Sequence, residues 1–148
     1  MNNKETQLEY IRLYKEMDSL YRILAYEQEL SVSEFDIFYA VSMLGNGCFQ
    51  KDICNLSLIS KQTVNSAIKK MEQSGLLELV SDEGRKKQIC LTDSGKEVLK
   101  TKMQPIVDAE INSFSEMTES ERDLLISLTK KFISLMKKNT EAIYKREV

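Results

Sequence analysis

ICNLSLISKQTVNSAIKKMEQSGLLELVSDEGRKKQICLT, residues Ile53 to Thr92, runs as a short helix, a sharp turn, a second helix, a strand, a basic tip and another strand. In the second helix Val64, Ala67, Ile68 and Met71 stand at i, i+3, i+4 and i+7, which directs one side into a core. Gln62, Asn65, Ser66, Lys69 and Gln73 therefore point outward. Ser60 is placed to cap the helix with its hydroxyl, and Gly75 to end it in the left-handed conformation, so the spacing predicts a helix from Lys61 to Ser74. Its outer face has no acidic residue before Glu72. An ordinary solvated helix more often alternates Glu with Lys, whereas amide, hydroxyl and ammonium groups together offer donors and acceptors to base edges in a major groove.

Upstream, Gln50 to Leu56 reads as a two-turn helix with Ile53 and Leu56 facing inward, and Ser57, Leu58 and Ile59 make the short connection of a helix-turn-helix. Downstream, the apolar runs Leu76 to Val80 and Gln88 to Leu91 flank the charged stretch Ser81 to Lys87, which contains Gly84. That pattern predicts a hairpin whose tip presents Arg85, Lys86 and Lys87 together. Long cationic side chains on a narrow projection can enter a minor groove or clamp phosphates. Taken alone such a triplet is as readily a solvated loop; directly after a recognition helix it reads as a wing. The expected fold is mainly α, a winged helix-turn-helix with a wing of two or three short strands.

The stretch resembles the MarR family (multiple antibiotic resistance regulators) of bacterial transcription factors. The likeness rests on Ser60-Lys61-Gln62-Thr63-Val64 at the start of the recognition helix, Gly75-Leu76-Leu77 at its end, and Arg85 with Ile89-Cys90-Leu91-Thr92-Asp93-Ser94-Gly95 after the wing. Length and helix order extend it over the whole chain. Where the family wing usually has an aspartate two residues before its key arginine, this chain has Glu83, which the resemblance makes the ion-pair partner that steadies Arg85. Gly84 stands where a second basic residue is often found, and Ser66 where an arginine is frequent. The resemblance implies a DNA-binding transcriptional regulator, more specifically a repressor. Its DNA-contacting residues would be Ser60, Lys61, Gln62, Thr63, Asn65, Ser66, Lys69, Lys70, Arg85, Lys86 and Lys87.

Charge distribution agrees with a double-stranded DNA partner better than total charge does. The chain carries 21 basic and 23 acidic side chains, a net charge of -2, although nucleic-acid binders are usually basic. Yet residues 60–71 hold Lys61, Lys69 and Lys70 and no acid, and residues 84–91 hold Arg85, Lys86 and Lys87 and no acid. At 148 residues, 42% of them hydrophobic, the chain is long enough for a real core. No stretch reads as a membrane span, and Met1 to Gln7 is too polar for a secretory signal, so a cytoplasmic location is expected. Three cysteines without a CxxC pair fit a reducing compartment.

The flanking helices predict a homodimer. In residues 4–29 Tyr10, Leu13, Met17, Leu20, Tyr21 and Leu24 recur every three or four positions. Near the other end Thr118 and Glu121 form a capping-box pattern, after which Leu125, Leu128, Phe132 and Leu135 continue the seam until Asn139. Between them Asp93 to Met117 reads as one long helix aligning Val107, Ile111 and Phe114, with a kink at Pro105. A winged-helix core cannot cover three such stripes. Residues 1–30 and 96–148 are therefore expected to form a helical dimerisation region around a DNA-binding domain at 31–95, the alternative being an intramolecular bundle. Two recognition helices related by a two-fold axis call for a pseudo-palindromic operator.

Control has two candidate routes. The helix Ser33 to Leu44 is apolar nearly all round, and in proteins it resembles small aromatic or phenolic effectors bind beside it. Tyr14, Phe38, Tyr39 and Met43 are the candidate pocket residues, with simple core packing as the alternative. The second route is thiol oxidation at Cys48, Cys54 or Cys90, although redox-sensing relatives place their cysteine in a first helix and residues 4–29 have none. Catalysis is not expected: there is no histidine, no glycine-rich phosphate loop and no cluster of metal ligands, so no cofactor is implied. The remaining class is a winged helix used as a protein-docking module.

Overall fold

Asn2 opens the first helix by accepting the backbone N–H groups of Lys4 and Glu5, each at 3.0 Å, while Glu5 accepts the N–H of Asn2 at 2.9 Å. This reciprocal capping box satisfies donors that a helix start leaves free. In the computed structural model, which describes residues 2–81 and 87–144, α1 runs Asn3–Glu27, α2 Val32–Leu44, β1 Cys48–Phe49, α3 Gln50–Ser57 and α4 Lys61–Gln73. They are followed by β2 Leu77–Ser81, β3 Lys87–Leu91, α5 Asp93–Val98, a π-helical turn Leu99–Met103, α6 Gln104–Ser115 and α7 Glu119–Tyr144. The chain divides into two compact units, Met1–Val107 and Asp108–Val148.

The core of the first unit is built on α2, apolar on nearly every side as its sequence demands. Phe35, Ile37, Phe38, Ala40 and Val41 are buried there with Ile53 of α3, Val64, Ala67, Ile68 and Met71 of α4, and Leu77, Ile89 and Leu91 of the sheet. All four residues predicted to form the inward face of the recognition helix are in this core. Leu56, expected to face inward, does not: it is 46% exposed. The inward arc of α3 passes through Ile53, Cys54 and Ser57 instead, and Leu56 falls one residue outside it.

The sheet is antiparallel with strand order β1-β3-β2, so the wing strands Leu77–Ser81 and Lys87–Leu91 gain a third partner. β1 is a two-residue strand pairing Cys48 with Ile89 and Phe49 with Gln88. Asn46 extends this edge, its Oδ1 accepting the N–H of Leu91 at 2.7 Å.

The helix predicted from Asp93 to Met117 ends at Ser115 and is interrupted earlier than Pro105. Gln104 donates its N–H five residues back to Leu99, widening one turn just before the proline. Pro105 has no N–H and its ring crowds the carbonyl four residues upstream, and the π turn is a standard way to relieve such a break in the ladder. The turn also has a packing role, since Met103 is wholly buried. Beside it Lys102 donates to the Gln28 carbonyl at 2.7 Å and lies 3.6 Å from Glu29 Oε2, holding the α1–α2 bend where Glu29 adopts φ +56°.

In the second unit Thr118 caps α7. Its N–H and hydroxyl both donate to Glu121 Oε2 at 2.8 Å, and Glu121 returns its N–H to the Thr118 hydroxyl at 3.3 Å. The predicted capping box is therefore present, and it holds the Glu121 carboxyl below the usual range through the Thr118 N–H first and its hydroxyl second. Arg122 donates to the Phe114 and Met117 carbonyls, closing the turn between α6 and α7.

Candidate nucleic-acid interface and effector cleft

The recognition helix is fixed at both ends before its outer face is considered. At the start Ser60 Oγ accepts the Thr63 N–H at 3.1 Å and shares a hydrogen bond with the Thr63 hydroxyl at 2.8 Å. Gln50 of α3 reaches across the turn to the Lys61 carbonyl at 3.2 Å, tying the two helices of the motif together. Between them Leu58 takes φ +53°, a left-handed conformation unusual for a leucine, and is 90% exposed.

At the far end Gly75 takes φ +73°, Leu76 N–H returns to Met71 O at 2.9 Å and Gly75 N–H to Glu72 O at 3.1 Å. This is the paired hydrogen-bond pattern of a Schellman stop. Thr92 then clamps it: its hydroxyl lies 2.6 Å from the Gly75 carbonyl to which it donates, its N–H donates to Leu76 O at 3.2 Å, and its oxygen accepts the Gly95 N–H at 3.1 Å. One threonine thus joins the end of α4 to the start of α5. The motif is legible in the sequence but the clamp is not, because residues 17 positions apart meet only in the folded chain.

The outer face of α4 lies as the periodicity requires. Lys61, Gln62, Thr63, Ser66, Lys69 and Lys70 are exposed with the capping Ser60, and Asn65 is half-buried. Ser66 spends its proton on the Gln62 carbonyl at 2.9 Å, so its hydroxyl faces outward as an acceptor. The ammonium groups of Lys61, Lys69 and Lys70 have no ion pair or hydrogen bond to any described residue. Lys87 is exposed at the start of β3, opposite Ser81. Glu83, Arg85 and Lys86, the wing-tip residues expected to steady or carry the second contact, lie outside the described residues.

The four candidate pocket residues are dispersed. Phe38 is wholly buried in the core, Tyr14 and Met43 are 61% and 44% exposed, and Tyr39 borders a cleft. That cleft, of about 390 Å³ between α1 and α2, is walled by Tyr21, Phe35 and Tyr39 and edged by Asp18, Arg22 and Asp36. Phe35 and Tyr39 stack with centroids 6.4 Å apart, and Tyr21 stands edge-on to both at 6.3 and 6.5 Å. The i, i+4 spacing of Phe35 and Tyr39 was visible in the sequence; the arrival of Tyr21 from another helix was not.

Cys48 is buried in β1, and burial pushes its thiol above the ordinary range, with the neighbouring Asp52 adding to the effect and a backbone hydrogen bond partly offsetting it. Cys54 and Cys90 are half-buried and all three are free. Among the described residues no group of His, Cys, Asp and Glu could hold a metal ion, and no helix is long and apolar enough to cross a membrane.

The MarR family sequence model matches residues 28–88, which span α2, the helix-turn-helix and the start of β3. Over that segment the chain is similar to the MarR family. No curated protein matches it closely enough to count. Solved structures do: a MarR family regulator from Neisseria meningitidis shares 22% identity at a TM-score of 0.76, covering 96% of this chain and 99% of that one. The MepR–DNA complex from Staphylococcus aureus shares 18% identity at a TM-score of 0.64, over 87% and 96%. BpsR of Bordetella bronchiseptica, whose DNA binding is regulated by 6-hydroxynicotinic acid, shares 20% identity at a TM-score of 0.63, over 89% and 96%. At such identities these likenesses speak for the fold. The chain shares the winged helix-turn-helix fold of these structures.

Proposed function

We propose that this chain is a MarR-family regulator that represses transcription from the cytoplasm, binding a pseudo-palindromic operator as a homodimer and leaving it when a small aromatic effector enters the α1–α2 cleft. The observation that carries the DNA reading is the exposed face of α4: three lysines unpaired with any described residue, two amides and an acceptor hydroxyl, backed by four buried apolar residues. Such a face gains by trading counterions for phosphates and can form directed hydrogen bonds to base edges. In this reading Gln62, Asn65 and Ser66 meet bases. Ser60, Lys61, Thr63, Lys69, Lys70 and Lys87 meet the backbone, and Arg85 and Lys86, steadied by Glu83, reach the flanking minor groove.

Two uncovered apolar faces support the dimer. On α1, Leu8, Tyr10, Ile11, Leu13, Met17 and Leu20 are exposed, and on α7, Leu124, Leu125, Leu128, Phe132, Leu135 and Met136 are too. Runs of this size on single chains mark association surfaces. The dimerisation region would comprise residues 1–30 and 96–148, with 31–95 reading DNA. Two recognition helices would then address half-sites about 34 Å apart.

Burial of the Cys48 thiol speaks against thiol-based control at that residue, since the thiolate is the reactive form. The test of the central reading is selection of bound fragments from a genomic DNA pool by the full chain, followed by sequencing. A recurring inverted repeat is the expected result, and absence of any enrichment would count against operator binding.

A further inference from the structure

The charges around the α1–α2 cleft are unevenly committed. Arg22 is paired with Asp18 at 3.0 Å, whereas Asp36, on the opposite helix, has neither an ion pair nor a hydrogen bond among the described residues. Two carboxyl groups thus face one guanidinium, and the guanidinium is already engaged. An incoming carboxylate would find no free cation and would meet Asp36 as a like charge. An incoming cation would find a waiting carboxylate beside three aromatic rings, whose faces attract positive charge.

We infer that the effector of this chain is a flat aromatic cation, such as an aryl amidine or aryl ammonium, with its positive group on Asp36 and its ring against Tyr21, Phe35 and Tyr39. The inference rests on the effector part of the proposed function. Burial pushes the Asp36 carboxyl upward, which means that its ionised form lacks compensation in the empty cleft and gains it when a cation arrives. The volume suits a one- or two-ring molecule. Asp36 also borders a narrow crevice with Ile59, Thr63 and Val64 at the start of the recognition helix, so a ligand seated on it lies one side chain away from the DNA-reading element.

The test titrates the full chain, by calorimetry or tyrosine fluorescence, with three probes of one shape: 2-naphthamidine, 2-naphthamide and 2-naphthoate. The amidine is expected to bind at least about tenfold more tightly than the carboxylate, with the neutral amide between them. Asp36→Asn, checked for folding by circular dichroism, should remove that preference. Arg22→Gln should strengthen the amidine by about threefold by removing the cleft's cation, and keeps the test decisive if the first variant does not fold. Tighter binding of 2-naphthoate overturns the cation assignment and leaves the effector cleft standing. Equal binding of the amidine to the parent and Asp36→Asn chains places it elsewhere and overturns it too. If no probe binds while DNA is still bound, the cation assignment and the effector reading fall together and the DNA reading remains.

Discussion

Gly95 packs against the Leu76 carbonyl so closely that a β-carbon on residue 95 would lie 1.8 Å from that oxygen and 3.3 Å from the β-carbon of Leu91. The obstacle is backbone, at the end of the recognition helix, and Thr92 holds it there with three hydrogen bonds. Gly95→Ala must therefore push α5 off the end of α4. The expected cost is about 2–4 kcal/mol of stability, read as a lower denaturation midpoint at fixed protein concentration. An unchanged midpoint would mean that the junction yields freely and that the clamp has no structural weight.

Lys69 and Gln62 share the outer face of α4 but should fail differently. Lys69→Ala is expected to weaken binding about equally on operator and random duplex and to lower the salt slope by about one ion. Gln62→Ala should leave that slope alone and relax preference at particular base positions, a loss of about 1–3 kcal/mol in discrimination. Mobility shifts across a salt series measure both.

Replacing Leu128 and Phe132 of α7 together by Glu puts charge on the proposed dimer surface. Sedimentation should then show a monomer where the parent chain gives a dimer, with operator affinity falling by several orders of magnitude as the second half-site is lost. A parent chain that sediments as a monomer would remove the basis for a palindromic operator.

The Thr118–Glu121 capping box carries a pH signature. Because the Glu121 carboxyl is held below its ordinary value of 4.5 in the folded chain, its contribution is present above that value and is lost as pH falls through the lower folded one. Helix content followed by circular dichroism should fall more steeply in this acid range for the parent chain than for Glu121→Gln. Parallel acid profiles would show that the box adds nothing to α7.

Cys48 gives the test of the thiol alternative. With its thiol raised by burial, it should react with iodoacetamide at neutral pH much more slowly than a free cysteine, and mild peroxide should leave DNA affinity unaltered. Fast labelling at Cys48, with release of DNA, would reinstate redox control.

The recognition helix was legible because its signals are local. Ser60, Gly75 and the spacing of Val64, Ala67, Ile68 and Met71 all act within one or two turns of their own backbone, so bounds and inward face followed from 3.6-residue geometry alone. The same holds for Thr118 and Glu121. Leu56 misled because an eight-residue helix offers too few positions to tell which arc is buried. β1 escaped notice because two residues cannot show alternation.

Order along the chain, amphipathic faces and capping are properties of neighbours in sequence, and the residues of this protein specify them directly through backbone geometry and hydropathy. The aromatic cleft, the placing of Asp36 at its edge, the Thr92 clamp and the need for glycine at position 95 are different in kind. Each arises where segments distant in sequence come within a few ångströms, and which side chains meet there depends on how whole helices pack, a quantity no short stretch of residues encodes.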